Sequence, residues 1–416
     1  MVSLSDIVEQ AMCIGCGLCQ GISRGHGVML EKSANGFLVP RVTGNVSLQD
    51  NAIILDCCPS CTLNTLPIEA RDEQTRLDPI WGYYRRIVHG YAADDSTRFL
   101  GASGGVLSAL AIYLLESEQI DFILHARASD IEPTFGEACL SFNREQVLQA
   151  AGSRYGPTAI LVDIREVLDR GQRFAVIGKP CDISALRNYA HHNPAVGRQV
   201  RFWLTLVCGG FMPPAGTTQF LRDHSIDPGQ VTKMRYRGHG FPGPTHIETT
   251  GGDQFDFTYQ DFWGADYKRF TLPHRCKICP DSVGEMADIV AADPWPGGGP
   301  DPNNLEAPGN NVILCRTSVG EGLLKRAAAD GALVLGAEGS PRLLNDYQPH
   351  QVARKYTAWP RLLGLKAEGR WVPKTAGLRI QSLAESMDRQ FQTDQQDGMQ
   401  KRVRQGKASD ALVSDD

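Results

Sequence analysis

The chain has 416 residues, 42% of them hydrophobic, and a formal net charge of −5. That length exceeds one ordinary domain, so two or three packed units are expected. The mild acidity and the lack of a long basic block exclude a dedicated nucleic-acid binder, and no apolar run reaches the roughly 18 residues of a membrane span.

The N-terminal stretch MVSLSDIVEQAMC has no basic segment followed by an apolar one, so it does not read as a secretory signal. The 12 cysteines are therefore expected to be reduced, in a cytoplasmic compartment. Cys13, Cys16 and Cys19 fall in a C-x2-C-x2-C run, the local signature of a 4Fe-4S cluster. Zinc sites are more often built from separated C-x2-C pairs. The Gly-Phe-Leu-Val-Pro segment at 36–40 reads as a short strand. Next comes Asp56-Cys57-Cys58-Pro59-Ser60-Cys61. A cysteine followed by proline usually completes such a run, so Cys58 is the natural fourth ligand, with Cys57 and Cys61 competing. Asn64 stands where a second full run would need a cysteine, so one cluster is expected in a ferredoxin-like module over 1–65.

Residues 66–80 read as a polar linker, and 81–172 as an α/β region. Here Ser103 is placed to cap an apolar helix over 106–115, 121–127 reads as a strand, and 162–170 as a helix closed by Gly171. The stretch 173–345 continues the α/β pattern. A buried strand at 173–177 runs into Gly178-Lys179-Pro180-Cys181 and a helix beginning near Asp182. Another, at 202–207, ends at Cys208-Gly209-Gly210. If these strands are parallel neighbours, both thiols share the sheet edge where open α/β folds bind ligands. Cys181, Cys208, Cys276 and Cys279 would then form a second four-thiolate site. Cys139 and Cys315 lack a glycine-rich exit and read as small core residues. In the extension over 346–416, Ile380, Leu383, Met387 and Phe391 recur at helical spacing as one amphipathic helix. The polar tail over 392–416 is expected to be disordered.

Two one-electron centres call for a partner that handles electron pairs, and a flavin is the common one. Several glycine-bearing turns could receive it: Ser103-Gly104-Gly105, Gly152-Ser153-Arg154-Tyr155, Gly178-Lys179-Pro180 and the basic loop Arg235–Gly243. No G-x-G-x-x-G follows a strand, so NAD(P) binding is not expected. Lys179 reads either as a cation beside the flavin or as a solvated turn residue. His239 and His246 are candidate proton donors, and no residue is assigned as catalytic.

Taken together and in order, Cys13-x2-Cys16-Gly-Leu-Cys19, Ala102–Gly105, Gly152–Tyr155, Gly178–Cys181, Val207-Cys208, Tyr236–Gly243, His274-x-Cys276-x2-Cys279 and Ala287–Asp293 resemble the coenzyme F420 hydrogenase/dehydrogenase beta-subunit family. That family includes ferredoxin-dependent 7-hydroxymethyl chlorophyll a reductase and a class of divinyl chlorophyllide reductases. The likeness runs to about residue 345, with Phe241 standing where members often carry Trp. It implies a mixed α/β (α+β) fold: an iron–sulfur module, a flavin-binding α/β body and a helical extension. It also implies FAD against Ser103, Gly104, Gly105, Ser153, Arg154, Tyr155, Gly178, Lys179 and Pro180. The second cluster falls on Cys181, Cys208, Cys276 and Cys279. The function expected is an oxidoreductase that takes electrons from a carrier such as ferredoxin through two 4Fe-4S clusters to FAD, and then reduces an organic small-molecule acceptor. The alternative is the electron-transfer beta subunit of a larger hydrogenase or dehydrogenase complex using F420 or ferredoxin. A homo-oligomer or a larger redox complex is expected, with no membrane span.

Overall fold

The segment at the N-terminus carries an antiparallel hairpin of β1 (Val28–Lys32) and β2 (Leu38–Val42), flanked by helices Leu18–Ser23 and Leu48–Cys57. The computed structural model describes residues 2–264, 266, 270–301 and 308–410. The stretch read as a linker is itself structured. It holds β3 (Arg76–Asp78), which forms a second hairpin with β4 (Gly82–Tyr84) just beyond it, turned by Asp78, whose Oδ1 accepts from the Ile80 and Trp81 N–H groups.

The strands that follow are β5 (Arg86–Ala92), β6 (Phe122–Ala128), β7 (Gly136–Ser141), β8 (Phe174–Gly178), β9 (Val200–Leu206), β10 (Val231–Arg235), β11 (Thr245–Thr249), β12 (Gln254–Phe257), β13 (Ile289–Ala292), β14 (Asn311–Cys315) and β15 (Leu333–Glu338). Eight of them make one mixed sheet in the order β15-β5-β14-β13-β9-β8-β6-β7. Its centre, β6-β8-β9-β13, is parallel, and the flanking pairs are antiparallel. β10, β11 and β12 form a separate antiparallel sheet.

The central strands are nearly continuous apolar runs because both faces are covered. Alternate residues go to opposite sides. Phe122, Leu124, Phe174, Val176, Val290, Val312 and Leu314 pack on one face. Ile123, Ala175, Ile289 and Ile313 pack on the other, under Leu110, Leu114, Leu323 and Leu324 from helices Val106–Glu116 and Ser318–Ala329. The first face is shared by residues far apart in the chain. Ile7, Met12, Leu18 and Ile22 come from the N-terminal segment, and Leu362, Leu365, Leu383 and Met399 from the C-terminal one.

Three local expectations are corrected. Ser103 does not cap the following helix. Gly105, at φ 70°, holds the cap position, and the Ser103 hydroxyl donates instead to the Asn310 carbonyl at 2.5 Å. The helix expected near Asp182 is present and begins at Pro180, where the fixed φ of proline suits the first turn. The single helix expected through Ile380 and Phe391 is two, Ile380–Glu385 and Arg389–Arg404. Asp388 starts the second by accepting the Phe391 N–H at 2.7 Å. That second helix is ordered well past residue 392 because it packs on helix Pro349–Ala367. At the crossing a Cβ on Gly364 would stand 2.6 Å from the Gln396 carbonyl oxygen, so only glycine fits. The rest of the expected disorder, 411–416, lies outside the described residues. No described helix is long and apolar enough to cross a membrane.

Candidate cofactor sites

The outer thiols sit on a loop that only glycine could shape. Gly15 and Gly17 have φ of 65° and 87°. A Cβ would come within 2.6 Å of the Leu38 carbonyl oxygen at Gly15 and within 2.8 Å of the Val162 amide nitrogen at Gly17. The loop is docked on the body by the Leu161 N–H, which donates to the Cys16 carbonyl at 3.0 Å. Cys13, Cys16, Cys19 and Cys58 are half-buried; Cys58 disfavours ionisation of the other three, and Cys19 that of Cys13 and Cys16. Burial and the fields of neighbouring thiols such as Cys58 push Cys19 up to about 12. Cys58 differs: a hydrogen bond from Cys61 leads the effects that lower it to about 7. Cys57 is fully buried at the end of its helix, in the apolar core.

The inner thiols come together from three places. β8 and β9 are parallel neighbours, with Gly178 opposite Thr205. Cys181, in the first turn after β8, and Cys208, just past β9, therefore share one edge. Cys276 lies in the short helix His274–Lys277, with Cys279 just beyond it. Cys181 and Cys276 each feel both Cys208 and Cys279. Helix Pro349–Ala367 holds this group from outside. Gln351 donates to the Cys208 carbonyl at 2.9 Å, and Arg354 donates to the carbonyls of Cys208 at 3.2 Å and Gly209 at 2.6 Å. Arg361 donates to the Lys277 carbonyl at 3.1 Å. None of these three was marked by a sequence motif. Among the described residues, no three or more His, Cys, Asp or Glu side chains are gathered to hold a single metal ion.

A cavity of about 290 Å³ opens at the same edge. Ser103, Gly105, Ser153, Arg154, Tyr155, Gly178 and Lys179 line it, and so does Cys208. Gly104 and Pro180 are not in its wall. Gly104 backs onto Asn310 and Asn311, where a Cβ would stand 2.8 Å from their backbone atoms. Lys179 is not a solvated turn lysine. Its ammonium pairs with Asp182 at 2.8 Å and donates to the Thr158 carbonyl at 3.1 Å. Burial opposes that charge, but Asp182 and Cys181 outweigh it and hold the pKa above the usual lysine value.

The far wall is aromatic. Tyr155 meets Trp263 edge to face with centroids 5.0 Å apart, and the Arg237 guanidinium lies 4.8 Å from the Trp295 ring. Arg237 also pairs with Asp293 through two bonds, of 2.8 and 3.0 Å. Among the described residues, Arg154 Nε, Asp182 Oδ1, Trp263 Nε1 and Trp295 Nε1 are buried without a hydrogen-bond partner. Unsatisfied buried groups are rare; others lie elsewhere among the described residues, Ser184, Gln199, Thr249 and Arg316 among them, but these four belong to side chains that line one cavity. They fit a large polar-edged ligand such as a flavin. The candidate proton donors His239 and His246 are elsewhere, in a surface cleft with Lys233 and Arg235. His246 is held between Asp256 at 2.8 Å and Glu248 at 3.2 Å.

Two family models meet on this architecture. Residues 87–164 match the N-terminal part, and 171–340 the C-terminal part, of the coenzyme F420 hydrogenase/dehydrogenase beta subunit. The chain belongs to this family. Within it, the chain is 24% identical over 337 residues to the coenzyme F420-dependent sulfite reductase of Methanocaldococcus jannaschii, covering 76% of this chain and 46% of that protein. It thus spans about half the length of that relative. It is 26% identical over 266 residues to the coenzyme F420 hydrogenase subunit beta of Methanosarcina barkeri, covering 61% of this chain and 82% of the relative. The F420-dependent formate dehydrogenase 1 subunit beta of Methanococcus maripaludis is 28% identical over 246 residues, 58% of each chain. A chain of the F420-reducing NiFe hydrogenase complex from Methanosarcina barkeri has the same fold, with a TM-score of 0.53 at 24% identity, over 70% of this chain and 97% of that one.

Proposed function

We propose that the chain is an iron–sulfur flavoprotein and works as the electron-transfer beta subunit of a larger hydrogenase- or dehydrogenase-type complex, exchanging electrons with F420 or a ferredoxin. One observation carries the reading above all. Cys181 and Cys208 share the sheet edge on which the three glycine-bearing loops open, with Cys208 and Lys179 in the wall of one cavity. Cys13, Cys16, Cys19 and Cys58 would hold an outer 4Fe-4S cluster, and Cys181, Cys208, Cys276 and Cys279 an inner one. Ser103, Gly105, Ser153, Arg154, Tyr155, Gly178 and Lys179 would hold FAD. When bound, FAD converts single electrons into pairs.

The chain's own residues prepare for this. Lys179 fixes a positive charge in the wall, and the buried Arg154 offers an unused N–H. Gly105, at φ 70°, exposes backbone at the start of a helix, where an anionic group is favoured. Tyr155, Trp263 and Trp295 exclude water from the far wall. Unpaired thiols suit a reducing, cytoplasmic compartment. Relatives named as beta subunits favour this reading over a stand-alone, ferredoxin-dependent reductase of an organic acceptor.

Anaerobic affinity purification from the native host tests it. The chain should bring down an oxidoreductase partner in a fixed ratio and should show no turnover by itself. A chain that purifies alone, and reduces an organic acceptor when given a reduced carrier, would replace the subunit reading by the stand-alone enzyme.

A further inference from the structure

A buried arginine lies between the two groups of thiols. Arg275 immediately precedes Cys276 in helix His274–Lys277 and is only 2% exposed. Its Nη2 donates to the Pro59 carbonyl at 3.1 Å, one residue past Cys58 of the outer group. Its Nε has no hydrogen-bond partner, and no carboxylate pairs with it among the described residues. The nearby Asp410 carboxyl accepts the His274 N–H instead.

A guanidinium sealed in the interior without a counter-charge is strongly disfavoured. Other cations lie close by. Burial, with Arg402 and Arg354 adding to it, pushes Arg361 down to about 10. Arg370, Lys277 and Arg402 are further cations around the adjacent His274. The region thus gathers several cations around Arg275. The Arg275 charge acts on thiols on both sides, Cys58 and Cys61 in the outer segment and Cys276 in the inner one. A cubane held by four thiolates is a net anion, and its charge is one of the factors that set its reduction potential.

We propose that Arg275 is the shared counter-ion of the two clusters: a positioning residue between them that offsets the negative charge of both and raises both reduction potentials together. This rests on the two-cluster reading above. Reduction adds one electron, and so one negative charge, to a cluster, and a fixed cation nearby favours the reduced form of each.

The test uses full-length, anaerobically prepared protein, assayed for iron and sulfide and titrated with dithionite under EPR. Arg275→Gln keeps a donor for the Pro59 carbonyl and removes the charge, while Arg275→Lys keeps the charge. In Arg275→Gln, each cluster should become about tenfold harder to reduce, a fall of about 59 mV for a one-electron step. Arg275→Lys should stay close to the unmodified protein. If a fully loaded Arg275→Gln protein has both potentials unchanged, or only one moved, the shared counter-ion is overturned. If Arg275→Gln takes up no cluster, the lysine variant decides: clusters present in it support the role of charge, and clusters absent from both variants overturn it in favour of shape. Unmodified protein without iron and sulfide would bring down the two-cluster reading first, and the counter-ion with it.

Discussion

Gly17 separates a cysteine motif from a cysteine site. Its φ of 87° would strain any L side chain, and a Cβ would press to 2.8 Å on the Val162 backbone. Gly17→Ala should therefore cost at least about 1–2 kcal/mol from the left-handed conformation alone. It should also lower bound iron from about eight to about four per chain, since one cubane holds four irons. Cys276→Ala should likewise remove one cluster, but the inner one, leaving the outer EPR signal in place; loss of neither signal would reject the ligand role of Cys276. At this scale the sequence was most informative where chemistry fixes spacing, as in Cys13-Ile-Gly-Cys16-Gly-Leu-Cys19. It was silent on Arg275 and Arg354, because an arginine bonded to a backbone carbonyl leaves no spacing pattern.

At the scale of elements, Glu285 ties three segments together. It is fully buried and accepts from Lys355 of helix Pro349–Ala367, from Arg379 before the next helix, and from the Thr65 hydroxyl at 2.6 Å. Arg316 and Asp281 are the other charges facing it. Burial alone would raise its pKa, but Lys355 and Arg379 lead the effects that hold it at about 2. An unfolded glutamate titrates near about 4.3. The stabilisation is therefore complete above that pH and is lost as pH falls through about 2. Glu285→Gln should cost about 3 kcal/mol near neutral pH by leaving buried cations unpaired, measured as a shift of the urea midpoint. The gap between the two proteins should narrow as the pH falls below about 4; a gap that does not change with pH would contradict the assignment.

The strands at 174–178 and 200–206 were legible because a strand covered on both faces is a continuous apolar run. The break at Asp388 was not. Ile380, Leu383, Met387 and Phe391 keep helical spacing across it, and only a side-chain bond to Phe391 marks the new start. The order beyond residue 392 was hidden too, because its cause is a close crossing at Gly364, far away in sequence.

At the scale of the whole molecule, the C-terminal segment beyond the family match closes the structure around the thiols. Trp371 Nε1 donates to the Ser60 carbonyl at 2.9 Å. The Lys374 N–H donates to the Cys61 carbonyl at 2.8 Å, and the Leu63 N–H donates to the Lys374 carbonyl at 2.9 Å. The same segment grips Cys208 through Gln351 and Arg354. One stretch of chain thus braces both thiol groups, and with them the proposed route for electrons between the outer face and the cavity.

The claim that joins these scales is that two clusters and one flavin share this fold. Iron, acid-labile sulfide and flavin analysis of anaerobically purified protein tests it most directly. About eight iron, a matching amount of sulfide and one FAD per chain are expected. Protein that carries zinc with no acid-labile sulfide and no flavin would contradict it.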